Sequence, residues 1–292
     1  MRILMFVHHP DVMYYMYTAF SQLDQEVFLA TENLTRSIGF AYSSVKQNKL
    51  EVVDQLFEPQ KLYPNIGTID FMDNLADINT VDMLWSMLPE IKSIHYIKPT
   101  WFDAQMQNYL RNPQFRSMPG IKTANHPKAK AINNFDFIPN WVPYQPPHIE
   151  RKYITQLITQ SHLVEETKEL IKLKNEGYPV KIHGGPACPD GFIRDIDILP
   201  YTTLLIHNKQ FGINCYAVCK ALDMGIPVYM GRDTKEKIGF GDLPDSLFLF
   251  KEEYSILEAY HKSLSIDCKS IQDTYRSIYT IERTKTEVAK LL

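Results

Sequence analysis

The chain has 292 residues, 45% of them hydrophobic, with 31 Lys+Arg against 34 Asp+Glu and a formal net charge of −3. That length favours two domains of about 150 residues over one; residues 1–150 carry 12 basic against 15 acidic side chains and residues 151–292 carry 19 of each, so neither half is a polycation that binds nucleic acid through bulk charge. No apolar run approaches the ~20 residues that span a bilayer, and four cysteines without Cys-x-x-Cys spacing, behind an N-terminus too short for a signal peptide, point to a reducing cytoplasm.

The first element is a strand over Arg2–Val7, ending in the polar turn His8-His9-Pro10-Asp11 and feeding a Tyr/Met-rich helix near Val12–Leu23. Pro10 suits the first helical turn and Asp11 the positive end of the helix. Glu26–Ala30 reads as the next strand. Residues 32–66 are weakly periodic. Asp70–Ile78 and Val81–Met87 hold short elements around the core-like Met83, Leu84 and Trp85, Ile94–Ile97 reads as a strand, and Trp101–Leu110 reads as a helix. After a loop over residues 112–120, Ile121–Ala124 is a strand ending in Asn125-His126-Pro127. The stretch FIPNWVPYQPPH, residues 137–148, has four prolines and no helical pattern. It is a semi-rigid connector and sets the domains at 1–145 and 146–292.

Beyond it the alternation of strand and helix restarts: a strand at Tyr153–Thr159, an amphipathic helix at Val164–Lys174, and a strand at Tyr178–His183 ending in Gly184-Gly185. The run Thr202–Ile206 is too short for a helix and lacks alternation, as expected for a strand buried on both faces of a parallel sheet. A polar cluster with a glycine follows it, then a helix over Asn214–Met224 with Asn214 as N-cap, Gly225 just past its end, Pro227 as breaker and a strand at Val228–Met230. A last strand is expected at Leu247–Phe250, and helices near Glu252–Ser263 and Ser270–Leu291 close the chain. The fold class is α/β, with two Rossmann-like doubly wound domains facing a cleft.

Ligands of such sheets bind at the carboxyl ends of the strands. In the second half that edge carries His183, Gly184 and Gly185 after one strand, and Asn208, Lys209, Phe211, Gly212, Ile213, Asn214 and Cys215 after another. Unpaired amides and the helix dipole at Gly212–Cys215 favour an anion, most commonly phosphate. Lys209 and Arg194 are the counter-charges, although Arg194 also lies beside Asp195 and Asp197. Ser161 and His162 sit between a strand and a helix, where they either donate to a phosphate or simply cap the helix. In the first half, His8, His9, Asp11 and His126 lie at strand-end turns, where histidine serves as acid, base or hydrogen-bond donor near neutral pH. They lack the spacing of a metal site, so none is assigned. Lys122, Lys128 and Lys130 surround His126 and form the one clustered basic region, which either faces an anionic acceptor or is a solvated loop.

Phe211-Gly212, then Lys220-Ala221-Leu222-Asp223-Met224-Gly225-Ile226-Pro227-Val228, with VKIHGG before them, resemble the nucleotide-sugar-binding domain of GT-B glycosyltransferases. The resemblance covers roughly residues 153–250. It implies a nucleotide-sugar donor, most simply a UDP-sugar, with no permanently bound cofactor; the diphosphate would lie at Gly212–Cys215 and the base near His183–Gly185. It places His126 near the transferred sugar, with the acceptor against His8, His9 and Asp11. Lys220 stands where the family has a glutamate for the ribose. The opening HHPDVMYYMYTAF is suggestive of phage DNA glycosyltransferases, which makes hydroxymethylated DNA the first acceptor expectation and a bacterial surface glycan the second. A nucleotide-sugar epimerase and a non-catalytic nucleotide-binding module are the other readings. The expected molecule is a monomer or weak oligomer.

Overall fold

Two all-parallel sheets organise the chain. The computed structural model describes residues 1–6, 10–30, 71–72, 82–87, 99–142, 145, 150–158, 165–184 and 188–292. Its contacts divide the chain into one unit of Met1–Pro143 with Ile281–Leu292 and a second of Tyr144–Thr280.

In the first unit the elements run β1 (Arg2–Phe6), α1 (Pro10–Ser21), β2 (Glu26–Ala30), β3 (Phe71–Met72), β4 (Met83–Ser86), β5 (Thr100–Ala104), α2 (Gln107–Arg111), β6 (Ile121–Ala124), α3 (Ala129–Asn133) and β7 (Asp136–Phe137). The sheet order is β3-β2-β1-β4-β5-β6-β7. Chain order reverses between β1 and β4, which is the switch point of this sheet. Ile3, Leu4, Met5, Leu84 and Trp85 are buried along it, and Phe20 meets Trp101 edge to face at 5.5 Å.

The helix expected over Trp101–Leu110 is instead a strand followed by a short helix. All five residues of β5 are buried, so it shows no period-two alternation and its apolar run passes for a helix face. The strand expected at Ile94–Ile97 lies outside the described residues.

The second unit holds β8 (Tyr153–Ile158), α4 (Glu165–Asn175), β9 (Val180–Gly184), α5 (Asp195–Ile198), β10 (Thr202–Ile206), α6 (Tyr216–Asp223), β11 (Val228–Met230), α7 (Arg232–Lys237), β12 (Phe248–Phe250), α8 (Ile256–Ser263) and α9 (Cys268–Ile278). Its order is β12-β11-β10-β8-β9, with the reversal between β8 and β10. Gly225 ends α6 at φ +80, and a Cβ there would come within 2.2 Å of the Cys268 carbonyl oxygen. Only glycine satisfies both demands. The helices pack through Asp223, whose carboxylate accepts from Arg276 Nε at 2.8 Å and Nη2 at 3.1 Å and from the Gln145 amide at 2.7 Å.

The single closing helix expected over Ser270–Leu291 is broken. Tyr279 turns extended at φ −104, ψ 95, stacks on Tyr275, and donates its hydroxyl to Asp242 Oδ1 at 2.7 Å. The final helix, α10 (Ile281–Ala289), belongs with the first unit, whereas the sequence boundary leaves it with the second. It packs on α1, and the buried Thr284 hydroxyl donates to the Pro139 carbonyl at 2.8 Å.

Candidate functional site

The loop after β10 lies at the switch point of the second sheet, and its residues converge on the N-terminus of α6. The His207 amide continues the sheet by donating to the Tyr229 carbonyl at 2.9 Å. His207 Nε2 lies 3.0 Å from the Lys209 carbonyl. A carbonyl only accepts, so Nε2 carries the proton and Nδ1 is left for another partner. The Lys209 side chain lies across Gly212: a Cβ there would meet Lys209 Cε at 3.8 Å, Nζ at 3.9 Å and nothing nearer. Neither crowding nor a left-handed backbone demands glycine at this position. The space above it is open to a ligand, with an ammonium at its edge.

Cys215 is the N-cap of α6, with φ −56 and ψ 122. The first bond of the helix runs from the Val218 amide to the Cys215 carbonyl at 2.9 Å, so the amides of Tyr216 and Ala217 precede the helical ladder. Burial pushes the Cys215 thiol up, but the His207 ring, the Lys209 ammonium and the Ala217 amide outweigh it and bring the pKa from 9.0 to about 6. The site therefore combines a lysine and a helix terminus, a set that stabilises anions.

Asn214 is not the cap that the sequence suggested. Its backbone is left-handed at φ 43, its amide donates to the Ile238 carbonyl at 2.6 Å, and its buried side chain meets the Tyr279 hydroxyl. Asparagine tolerates that conformation; the capping position passes to the next residue. Ile213 is buried and Phe211 half-exposed. Asn208 presents an amide nitrogen with no hydrogen-bond partner.

On the neighbouring strand end, His183 donates from Nδ1 to the Asp190 carbonyl at 3.1 Å, which makes its Nε2 an acceptor. Gly184 is a packing glycine, since a Cβ there would fall 1.7 Å from the Ile158 carbonyl oxygen. Arg194 pairs with its neighbour: Nε and Nη2 bond the Asp197 carboxylate at 2.7 and 3.1 Å. Lys220 is buried and its Nζ lies 2.8 Å from Asp195 Oδ2. Gly185, Ser161 and His162 lie outside the described residues.

In the first unit, His126 is buried just past β6, and its Nδ1 accepts the Lys128 amide at 3.1 Å. In the neutral ring the proton then sits on Nε2, which makes His126 a hydrogen-bond donor there rather than a base. Three strand spacings separate β6 from β1, about 14 Å of sheet. His8 and His9 lie outside the described residues, and Asp11 falls in the first turn of α1. Two lysines of the basic cluster are bonded within the unit. Lys122 donates to the Arg116 and Met118 carbonyls at 2.9 and 3.0 Å, and Lys130 pairs with Asp136 at 2.9 Å, while Lys128 is exposed.

One polar cluster in this unit was not legible in the sequence. Buried Asp103, at the end of β5, accepts from Gln105 Nε2 at 2.8 Å and from the Tyr15 hydroxyl at 3.3 Å. Asn125 Nδ2 donates to the Tyr15 oxygen at 2.9 Å and to the Ile138 carbonyl at 2.6 Å. Burial, opposed by these donors and Thr123, raises the Asp103 carboxyl from 3.8 to about 6. Tyr15 and Asn125 join it from elements far apart in sequence, so no local pattern announces it. Among the described residues no three His, Cys, Asp or Glu side chains gather at metal-binding distance, and no helix is long and apolar enough to cross a membrane.

The sequence matches no protein-family model, and no curated protein is significantly similar to it. Solved structures do share its fold. TarM is 11% identical with TM-score 0.65, over 99% of this chain and 98% of that one. A mutant of S. aureus TarM, solved with fondaparinux, α-GlcNAc-glycerol and UDP, is 11% identical with TM-score 0.63 over 99% of both chains. AviGT4, a glycosyltransferase involved in avilamycin A biosynthesis, is 10% identical with TM-score 0.53 over 99% of this chain and 96% of that one. The architecture is GT-B, built from two parallel-sheet α/β domains.

Proposed function

We propose that this chain is a glycosyltransferase that moves a sugar from a nucleoside diphosphate donor, most simply a UDP-sugar, to a hydroxyl group. The observation that carries the reading is the loop from His207 to Cys215. At the switch point of its sheet it carries the Lys209 side chain beside the uncrowded Gly212 and leads into the N-terminus of α6, a combination suited to a diphosphate. The GT-B architecture supports the same reading, as does the UDP bound by the S. aureus TarM mutant. As the glycosidic bond to the donor breaks, negative charge grows on the departing diphosphate. Lys209 and the helix terminus stabilise that charge electrostatically. His126, a donor at Nε2, would hold a sugar hydroxyl, and the acceptor side is assigned to His8, His9 and Asp11.

For the acceptor, a glycan or polyol hydroxyl is the reading we carry. Recognition of DNA rests on cations directed at phosphates, whereas Lys122 and Lys130 are bonded within their own unit. The TarM mutant structure, with its α-GlcNAc-glycerol, favours the polyol class.

The test is a thermal-shift panel of nucleotide sugars, followed by mass spectrometry of glycan, polyol and hydroxymethylated-DNA acceptors incubated with the best donor. A donor at 100 times its Kd stabilises by about 2.7 kcal/mol. Gly212→Trp fills the open space, and its expected outcome is loss of that shift with an unchanged circular dichroism spectrum. An equal shift in wild type and variant would remove the loop from donor binding.

A further inference from the structure

Lys220 and Asp195 form an ion pair that the reading of the diphosphate loop leaves unused. Lys220 is 3% exposed, and its Nζ donates to Asp195 Oδ2 at 2.8 Å, while the Asp195 side chain is 22% exposed. An ammonium so buried requires a counter-charge. The Ile196 amide donates to Asp195 Oδ1 at 2.8 Å; a carboxylate has about four acceptor positions, so these two bonds leave capacity on both oxygens. Two routes place this carboxylate beside the switch-point crevice. Lys220 lies five residues beyond the Cys215 cap, about 7.5 Å along α6. From the other side, the Asp190 amide donates to the Ile182 carbonyl at 3.1 Å and the Gly184 amide to the Gly191 carbonyl at 3.0 Å. These bonds pin the turn to the end of β9, four residues before Asp195. Strands β9 and β10 flank β8, two strand spacings or about 10 Å apart.

We infer that Asp195 reads the pentose of the donor, accepting hydrogen bonds from its 2′- and 3′-hydroxyls, and so selects ribonucleoside over 2′-deoxyribonucleoside diphosphates; this rests on the donor site proposed above. A carboxylate matches a vicinal diol because both of its oxygens accept and both hydroxyls donate, and an acidic side chain takes this part in other α/β nucleotide sites. With the diphosphate at the start of α6, the pentose joined to it falls within the span from the loop after β10 to the end of β9. A bare carboxylate there would repel the phosphates. The Lys220 ammonium, 2.8 Å away, offsets that charge, so the diol is held without driving off the diphosphate. Lys220 is thus a positioning residue: buried itself, it fixes Oδ2 and leaves ligand contact to Asp195.

Calorimetry with UDP, ADP and GDP and their 2′-deoxy counterparts tests this, with inorganic pyrophosphate reporting the diphosphate subsite alone. The wild type is expected to bind its best ribonucleotide about 10- to 100-fold more tightly than the 2′-deoxy form, the range of a hydrogen bond to a charged group. Asp195→Ala is expected to remove most of that preference by weakening the ribonucleotide, with pyrophosphate affinity unchanged. Asp197→Asn, which alters the neighbouring carboxylate bonded to Arg194, is expected to keep the preference. Should Asp195→Ala leave the Lys220 charge too poorly paired to fold, as circular dichroism reports, the double variant Asp195→Ala with Lys220→Met removes both charges and carries the same expectation. A pair that only joined α5 to α6 would, once broken, weaken pyrophosphate, ribonucleotide and 2′-deoxy ligands alike. That outcome, or a wild type that binds ribonucleotide and 2′-deoxy forms equally, would overturn the inference and leave the donor site standing. If no nucleoside diphosphate binds the wild type, the donor-site reading fails and the pentose assignment falls with it.

Discussion

At Asp103 the structure holds a carboxyl away from water, with Oδ2 accepting from Gln105 and Tyr15. Its pKa is raised from 3.8 to about 6, burial dominating over Gln105, Thr123 and Tyr15. Below about pH 4 the group is protonated in folded and unfolded chains alike and has no effect. Between about 4 and 6 the folded protein keeps a proton that the unfolded chain releases, so stability falls as pH rises, by about 1.4 kcal/mol per unit. The carboxyls held below their ordinary range, Asp190, Asp245 and Glu258, act in the opposite sense and at lower pH. Urea unfolding from pH 4 to 7 is therefore expected to lose on the order of 2–3 kcal/mol in the wild type relative to Asp103→Asn; parallel profiles for the two proteins would show that Asp103 is ionised throughout. Lys220 poses a different question at the same scale. Where the resemblance implies a glutamate, a buried ammonium pairs with Asp195, 25 residues away. The lysine was readable as a departure from the family pattern, but its partner was not, because nothing local links a residue in α5 to one in α6.

Helix α6 shows which parts of an element a sequence discloses. Its strand, glycine break and return strand were read at Thr202–Ile206, Gly225 and Val228–Met230, and all three hold. Each follows from strong local physics: a doubly buried apolar run, a left-handed C′ position, and a proline that cannot continue a helix. The start of the helix was misread by one residue, since the left-handed backbone of Asn214 reflects its amide bond to Ile238 and its side chain's contact with Tyr279, both long-range. The same distinction explains β5, whose complete burial hid its period. Gly225→Ala tests the C-terminal end. Forcing an L residue to φ +80 costs about 1–2 kcal/mol, and the added Cβ would meet the Cys268 carbonyl oxygen at 2.2 Å, so a total loss of about 3 kcal/mol or more is expected by urea denaturation. A loss under about 1 kcal/mol would mean that α9 yields readily, contrary to its anchoring on Asp223 by Arg276.

For the whole molecule, the decisive feature is a chain that leaves its second unit to end in its first. The proline-rich stretch announced a boundary, and the structure divides the units at Pro143 and Tyr144; the return of residues 281–292 had no comparable signal. An amphipathic terminal helix looks the same whichever core it covers, and only the contacts of Thr284, Val288 and Arg283 assign α10 to the unit of α1, Pro139 and Phe137. The tryptophans provide a selective probe. Trp85, Trp101 and Trp141 are the chain's three and all belong to the first unit, so their fluorescence follows that unit while circular dichroism follows both. Deleting residues 281–292 removes the burial of Val288, about 1.5–3 kcal/mol, and leaves the Pro139 carbonyl without the Thr284 donor, about 1 kcal/mol more. The expected result is a lower urea midpoint in tryptophan fluorescence, with the second unit's share of the circular dichroism transition unmoved. If the fluorescence midpoint stays in place and the remaining transition shifts instead, the terminal helix stabilises the other unit, and the return of the chain to its first domain is energetically idle.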